Sequence, residues 1–227
     1  MQINLAPSVS LDFLDGYLFR LLQEILAERG AEKSGFFDYY AARITRKLGG
    51  LMEYEERLAH YLLANFADRH IVHAGTGIGT LPCALACNGM MVTAIEGLRT
   101  RVESAQRLRV ALIEIWPEVE RRYDIIEGTF PGALPAIQYG PDSILAFTNV
   151  ASAWNEEQET SIIQSMQRFG QAVLNLRLFG HVRNEEADRN ELFARIASTA
   201  RSAERLPDIG VELDAHYARF SFLDHRL

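Results

Sequence analysis

The stretch His70-Ile-Val-His-Ala-Gly-Thr-Gly-Ile-Gly79 constrains the fold of this chain more than any other. A short apolar run leads into three glycines within five residues. Thr80-Leu-Pro-Cys-Ala-Leu-Ala-Cys-Asn88 follows and reads as a helix closed by Gly89. Glycines after a strand allow a tight turn and let a ligand come close to the backbone, while the next helix presents free N–H groups. Spacing separates the ligand classes that use such a turn. A phosphate-binding P-loop needs Gly-x-x-x-x-Gly-Lys-Ser/Thr, and no lysine lies near. A dinucleotide fingerprint, Gly-x-Gly-x-x-Gly/Ala, would put Gly or Ala where the chain has Thr80. The third glycine is instead Gly79, giving Gly-x-Gly-x-Gly.

Beyond the turn, strands and helices alternate. Strands are expected at His70–Ala74, Met91–Glu96, Tyr123–Glu127, Ser143–Thr148 and Ala172–Leu178, and helices at Leu98–Ile115 (ended by Pro117), Glu156–Phe169 and Glu185–Ala203. That order implies an α/β fold, a mostly parallel sheet with helices on both faces. Two extended segments, Val211–Tyr217 and Arg219–Leu223, follow with almost no room for a crossover, so they are expected to close the sheet as an antiparallel hairpin.

The first third reads as helix. Ser10 can cap a helix over Leu11–Arg29 with Phe13, Leu14, Leu18, Leu21, Leu22 and Ile25 at helical spacing and Gly30 as its stop. Ser34 and Gly49 bracket a second helix, Phe36–Leu48, and a third covers Glu53–Ala67. No linker or repeat sets this region apart, so residues 1–69 are read as a helical cap on an α/β domain spanning 70–227.

Composition narrows the partners. Thirty acidic against 23 basic residues give a net charge of −7 over 227 residues, which disfavours bulk nucleic acid or an anionic membrane as partner. No apolar run approaches the ~18–20 residues of a membrane span, and Met1–Ser10 carries no secretory pattern, so a cytoplasmic protein is expected. Cys83 and Cys87, four apart on a helix, read as reduced packing thiols. The six histidines show no zinc-like spacing, and no metal is expected. Homo-oligomerisation is left open.

The run Val72-His73-Ala74-Gly75-Thr76-Gly77-Ile78-Gly79 resembles the first motif of the class I (Rossmann-like, seven-stranded) S-adenosylmethionine-dependent methyltransferases. In that family the first strand ends in a hydrophobic and an acidic residue before Gly-x-Gly-x-Gly. The resemblance extends in topology over 70–227 and implies S-adenosyl-L-methionine as cofactor, held by Gly75, Thr76, Gly77 and Gly79. His73 departs from the pattern. It stands where the family usually has Asp or Glu near the methionine end, leaving a ring nitrogen to make that contact directly or through water. Glu96, 21 residues beyond Gly75, matches the acidic residue that takes both ribose hydroxyls. Gly97 and Leu98 would lie beside the adenosine. Thr129 stands where the family often has Asp toward the adenine amino group, and Phe130 would pack on the ring. Asn149, just past the fourth strand, which leads to the transfer site, is the last cofactor contact that the resemblance implies.

The implied chemistry is methylation of an O or N atom on a small-molecule acceptor, with the protein aligning the reactants. The segment 149–155 lacks the Asn/Asp-Pro-Pro-Tyr/Phe motif of many enzymes that methylate planar amino nitrogens. Trp154, Asn155 and His181 near the transfer end, and Tyr39, Tyr40 and Arg43 in the helical region, are weaker acceptor-side candidates, and no catalytic residue is assigned. Two other classes stay open: a non-catalytic binding protein that keeps the methyltransferase fold, and an NAD(P)-dependent oxidoreductase, which shares a glycine turn with an acidic residue about 20 further on.

Overall fold

The computed structural model describes residues 10–28, 38, 41–42, 45, 49–148, 155–176, 186–209 and 216–222. Among them a seven-stranded sheet forms the centre of the molecule, in the order β3-β2-β1-β4-β5-β7-β6. Its strands are β1 His70–Ala74, β2 Met91–Glu96, β3 Tyr123–Glu127, β4 Ile144–Phe147, β5 Gln171–Asn175, β6 Ser202–Leu206 and β7 Tyr217–Ser221. The pairings from β3 through β5 are parallel, and β7 runs antiparallel to both β5 and β6. The helices are α1 Leu11–Glu28, α2 Glu53–Phe66, α3 Thr80–Cys87, α4 Arg99–Ile113, the short α5 Val119–Arg122, α6 Glu156–Met166 and α7 Glu186–Ala197. None among the described residues is long and apolar enough to cross a membrane.

A strand's period of two divides the core into two layers. On one side Ile71, Val92, Ala94, Ile144, Ala146, Val173 and Tyr217 join the apolar faces of α1 to α4. On the other Val72, Ala74, Ile95, Leu145, Phe147, Ala172, Leu174, Ala218 and Phe220 meet α6 and α7. Parallel strands covered on both faces need near-continuous apolar runs, which β1, β4 and β5 supply. The N-terminal helices belong to the first layer. Leu11, Leu14, Leu18, Leu22 and Ile25 form one stripe of α1, and Leu58 and Leu62 one face of α2; all are buried in the same cluster as the sheet. At ~2–3 kcal/mol for each fully buried leucine, this docking is a large part of that layer's stability. Phe13, expected on the buried stripe, is 60% exposed, its ring edge-on to Trp116.

The terminal hairpin is present, but its first strand is not where the sequence places it. Helix α7 ends at Ala197 rather than 203, and Ser202–Leu206 is already strand β6, paired with β7. Ser-Ala-Glu-Arg-Leu has the residues of a helix, and only Leu206 of the five is buried. Edge position explains this, because an edge strand needs only one apolar contact and its charged side chains suit an open edge. Arg219 of β7 pairs with Glu204 of β6 across the strands at 2.7 Å. Of Val211–Tyr217, expected to be the first hairpin strand, residues 211–215 lie outside the described residues and Tyr217 is the first residue of β7.

Candidate functional site

The chain leaves β1 toward β2 and β3 on one side and returns to β4 and β5 on the other, so the order reverses between β1 and β4. In open α/β sheets the crevice at the carboxyl ends of the strands beside such a reversal is where ligands bind. The glycine turn lies there. Gly75, Gly77 and Gly79 have φ of 70°, 61° and 83°, left-handed conformations in which a side chain is disfavoured. The turn is anchored to the next strand: the N–H groups of Gly75 and Thr76 donate to the Ile95 carbonyl at 2.9 and 3.1 Å, and Gly79 N–H closes on the Thr76 carbonyl at 3.1 Å.

Glu96 holds this end of the sheet together. Its Oε2 accepts from Gly77 N–H at 2.8 Å and its Oε1 from Leu98 N–H at 3.0 Å, while its carbonyl accepts from Gly128 N–H at 2.9 Å. One residue thus ties the glycine turn, the start of α4 and the end of β3. Only 5% of Glu96 is exposed, and each carboxylate oxygen has a second lone pair beyond its backbone contact. A Cβ at Gly97 would come within 2.9 Å of the Thr129 side chain, which shows how closely the two loops approach here. Gly97, Leu98 and Thr129 form an exposed rim, whereas Thr76 is buried. Phe130 is buried in the second layer, its ring edge-on to Phe147 at 5.0 Å and near Phe169.

His73 spans the reversal point. Period two puts it on the same face as Thr148, two residues beyond its register partner Ala146. Its Nδ1 lies 2.9 Å from Thr76 Oγ1 and its Nε2 2.9 Å from Thr148 Oγ1. The ring therefore bridges the glycine turn and the end of β4, with both nitrogens engaged. A neutral imidazole has one donor and one acceptor, so one threonine hydroxyl accepts from the ring and the other donates to it. Burial holds the ring neutral, its pKa pushed down to about 3.

That shift has a definite sign in stability. An unfolded chain protonates His73 near pH 6.5, whereas the folded chain resists until about 3, so between these values the unfolded state binds more protons. Stability is undiminished above pH 6.5 and falls as the pH drops through that window, by about 1.4 kcal/mol per unit, or roughly 2 kcal/mol by pH 5. His70, lowered by desolvation, acts in the same direction. Urea unfolding of the wild type and of His73→Asn at pH 7.5 and pH 5 isolates the His73 share: the variant should lose about 2 kcal/mol less than the wild type on acidification. Equal losses would place the acid sensitivity elsewhere.

Sequence reasoning missed Thr148 as a partner of His73; the shared parity of the two strand ends was the available signal once β4 was set beside β1. It also missed Glu55, whose contact with Thr80 is described below. Asn155 is the N-cap of α6, its side chain accepting from Gln158 N–H at 2.9 Å while Gln158 reaches back to Asn155 N–H. Asn149, Trp154, His181, Tyr39, Tyr40 and Arg43 lie outside the described residues.

No protein-family model matches the chain, and no curated protein matches it in sequence. Solved structures do match it in fold. The magnesium protoporphyrin IX methyltransferase from Synechocystis PCC 6803, with bound SAM, aligns over 92% of this chain and 92% of its own, with a TM-score of 0.54 and 14% identity. The methyltransferase domain of bacterial CtHen1-C aligns over 76% of this chain and 98% of its own, with a TM-score of 0.57 and 13% identity. The T. thermophilus 16S rRNA methyltransferase RsmC, in complex with AdoMet and guanosine, aligns over 75% of this chain and 43% of its own, with a TM-score of 0.52 and 14% identity. These matches are likenesses of fold, and with its seven-stranded mixed sheet the chain has the fold of the class I S-adenosylmethionine-dependent methyltransferases.

Proposed function

We propose that the chain is an S-adenosyl-L-methionine-dependent methyltransferase acting on a small-molecule acceptor through O- or N-methylation. The observation that carries this reading is Glu96, a carboxylate fixed beside the glycine turn at the carboxyl end of β2, with lone pairs left for a vicinal diol. The residues present fit the cofactor. Gly75 and Gly77 leave the turn's backbone open to close approach, and Gly97, Leu98 and Thr129 supply an exposed rim on the adenosine side. Phe130, held in the core, is not part of that rim.

The bound cofactor would supply an electrophilic methyl group on a sulfonium. The chain's own part is to bind, orient and exclude water. Glu96 would accept from the ribose hydroxyls while holding Gly77 and Leu98 in place. His73, neutral and bonded on both sides, would keep the turn and the end of β4 at a fixed separation. Residues 1–69, read as a helical cap, would cover the acceptor side. A small acceptor is favoured by the net charge of −7, which opposes bulk nucleic acid. Among the fold neighbours, names include both a porphyrin and an rRNA methyltransferase.

Calorimetric titration with S-adenosylmethionine, S-adenosylhomocysteine and NADH tests the reading. The two sulfur compounds should bind and NADH should not. Binding of NADH alone would replace the reading with an oxidoreductase. Silence toward all three would support the non-catalytic scaffold, which the uncharged His73 in place of an acidic residue also favours.

A further inference from the structure

Helix α3 begins at the glycine turn and has no side-chain cap, because its N-cap is Gly79. Its first residue, Thr80, is buried and donates its hydroxyl to Glu55 Oε1 at 2.8 Å. Glu55 is the third residue of α2 and is itself only 5% exposed; its Oε2 accepts from Met52 N–H at 2.9 Å, which caps α2. The segment before Met52 is fastened to α1. Leu51 N–H donates to Asp15 Oδ1 at 2.5 Å, and Gly50 N–H to the Asp15 carbonyl at 3.0 Å. Side chains at Gly49 or Gly50 would overlap the Asp15 carboxyl or the backbone of α1 around Leu18 and Phe19, so this segment lies directly on the helix. Hydrogen bonds joined by the backbone of residues 50–52 therefore lead from Asp15 to the Glu55 carboxylate and on to Thr80, the residue after the glycine turn.

A buried carboxylate is a costly way to cap α2, since a surface serine would serve. Its place is better explained by what it faces. Glu55 bridges two helix N-termini, where its charge is favoured by both dipoles, and one of these helices starts at the candidate site. We infer that Glu55 is a positioning residue for the glycine turn, coupling the docking of the N-terminal helices to the geometry of the ligand site through Thr80. Coupling of this kind is reciprocal: loosening residues 50–52 loosens the turn, and a ligand on the turn protects residues 51–52. Only the ligand half rests on the proposed function; the rest is a property of the free protein.

Hydrogen exchange on the free protein tests it. Asp15→Ala removes the anchor of Leu51 while keeping a good helix former in α1. It should raise amide exchange at Gly77 and Gly79 by ~5-fold or more in the otherwise wild-type chain, and by less than ~2-fold in a Thr80→Val background, where the link is already cut. Thr80→Ser, which keeps the hydroxyl, should restore the response, an effect that packing alone would not produce. No change at Gly77 and Gly79, or an equal change in both backgrounds, would overturn the inference. Should Thr80→Val fail to fold, Glu55→Gln serves as the blocking background, with one acceptor oxygen lost and an intermediate response expected. In the ligand half, Thr80→Val should weaken S-adenosylhomocysteine binding by ~10-fold and abolish ligand-induced protection at Leu51 and Met52. Wild-type affinity and protection in that variant would contradict it. Failure of the wild type to bind would instead count against the proposed function, while the exchange result on the free protein still decides the coupling.

Discussion

Gly79→Ala should destabilise the fold by about 2–5 kcal/mol, measured as a fall in the urea midpoint at constant slope. Two costs add. Gly79 sits at φ 83°, where an L-residue is strained by ~1–2 kcal/mol. The added methyl would also overlap the Tyr123 hydroxyl and press on Ala105, both in the packed layer between α3, α4 and β3. Tyr123 is fully buried and has no flexible end to swing aside. Gly89→Ala supplies the control. Its φ of 100° is equally left-handed, but nothing lies within 4 Å of the new Cβ, so only the backbone cost of ~1–2 kcal/mol should appear. Similar losses in the two variants would mean that the Tyr123 contact imposes no constraint on the turn.

Glu96→Gln should lower S-adenosylhomocysteine affinity by ~100-fold or more, about 3 kcal/mol, at a smaller cost in stability. The substitution is close to isosteric, so packing is kept, but an amide offers one oxygen where the carboxylate offers two. Its NH2 group would have to face either Gly77 N–H or Leu98 N–H, setting donor against donor. The turn then loses its tie to β2, and the ribose loses a charged acceptor. Affinity within about 3-fold of wild type would take Glu96 out of the ligand site.

The sequence reading reached the centre of the fold and lost precision toward its edges, for physical reasons. Strands β1, β4 and β5 are covered on both faces, so their apolar runs are unambiguous, and the left-handed turn after β1 demands glycines that no other element explains. Strand β6 is at the edge with one buried residue of five, and its Ala, Glu and Arg carry no strand signal until β7 is placed beside it. Phe130 illustrates the same limit within the site. Its position after β3 suggested a ring at the crevice, yet Phe147 and Phe169 draw it into the opposite layer, a contact between segments far apart in the chain. In the sequence Thr80 opens a helix and breaks a dinucleotide fingerprint, and neither feature points to a distant partner. Its hydrogen bond to Glu55, 25 residues earlier, depends on how α2 docks.

The proposed function puts S-adenosylmethionine in the crevice with its ribose on Glu96. A titration cycle tests it most directly: wild type and Glu96→Gln, each with S-adenosylhomocysteine and with its 2′-deoxyribose counterpart. In the wild type, removing the hydroxyl should cost ~1–3 kcal/mol, because a buried carboxylate loses one charge-assisted hydrogen bond. In Glu96→Gln the same removal should cost less than about 0.5 kcal/mol, the two losses overlapping because they break one contact. Equal losses in both proteins, or no binding of S-adenosylhomocysteine by the wild type, would remove the ribose from Glu96.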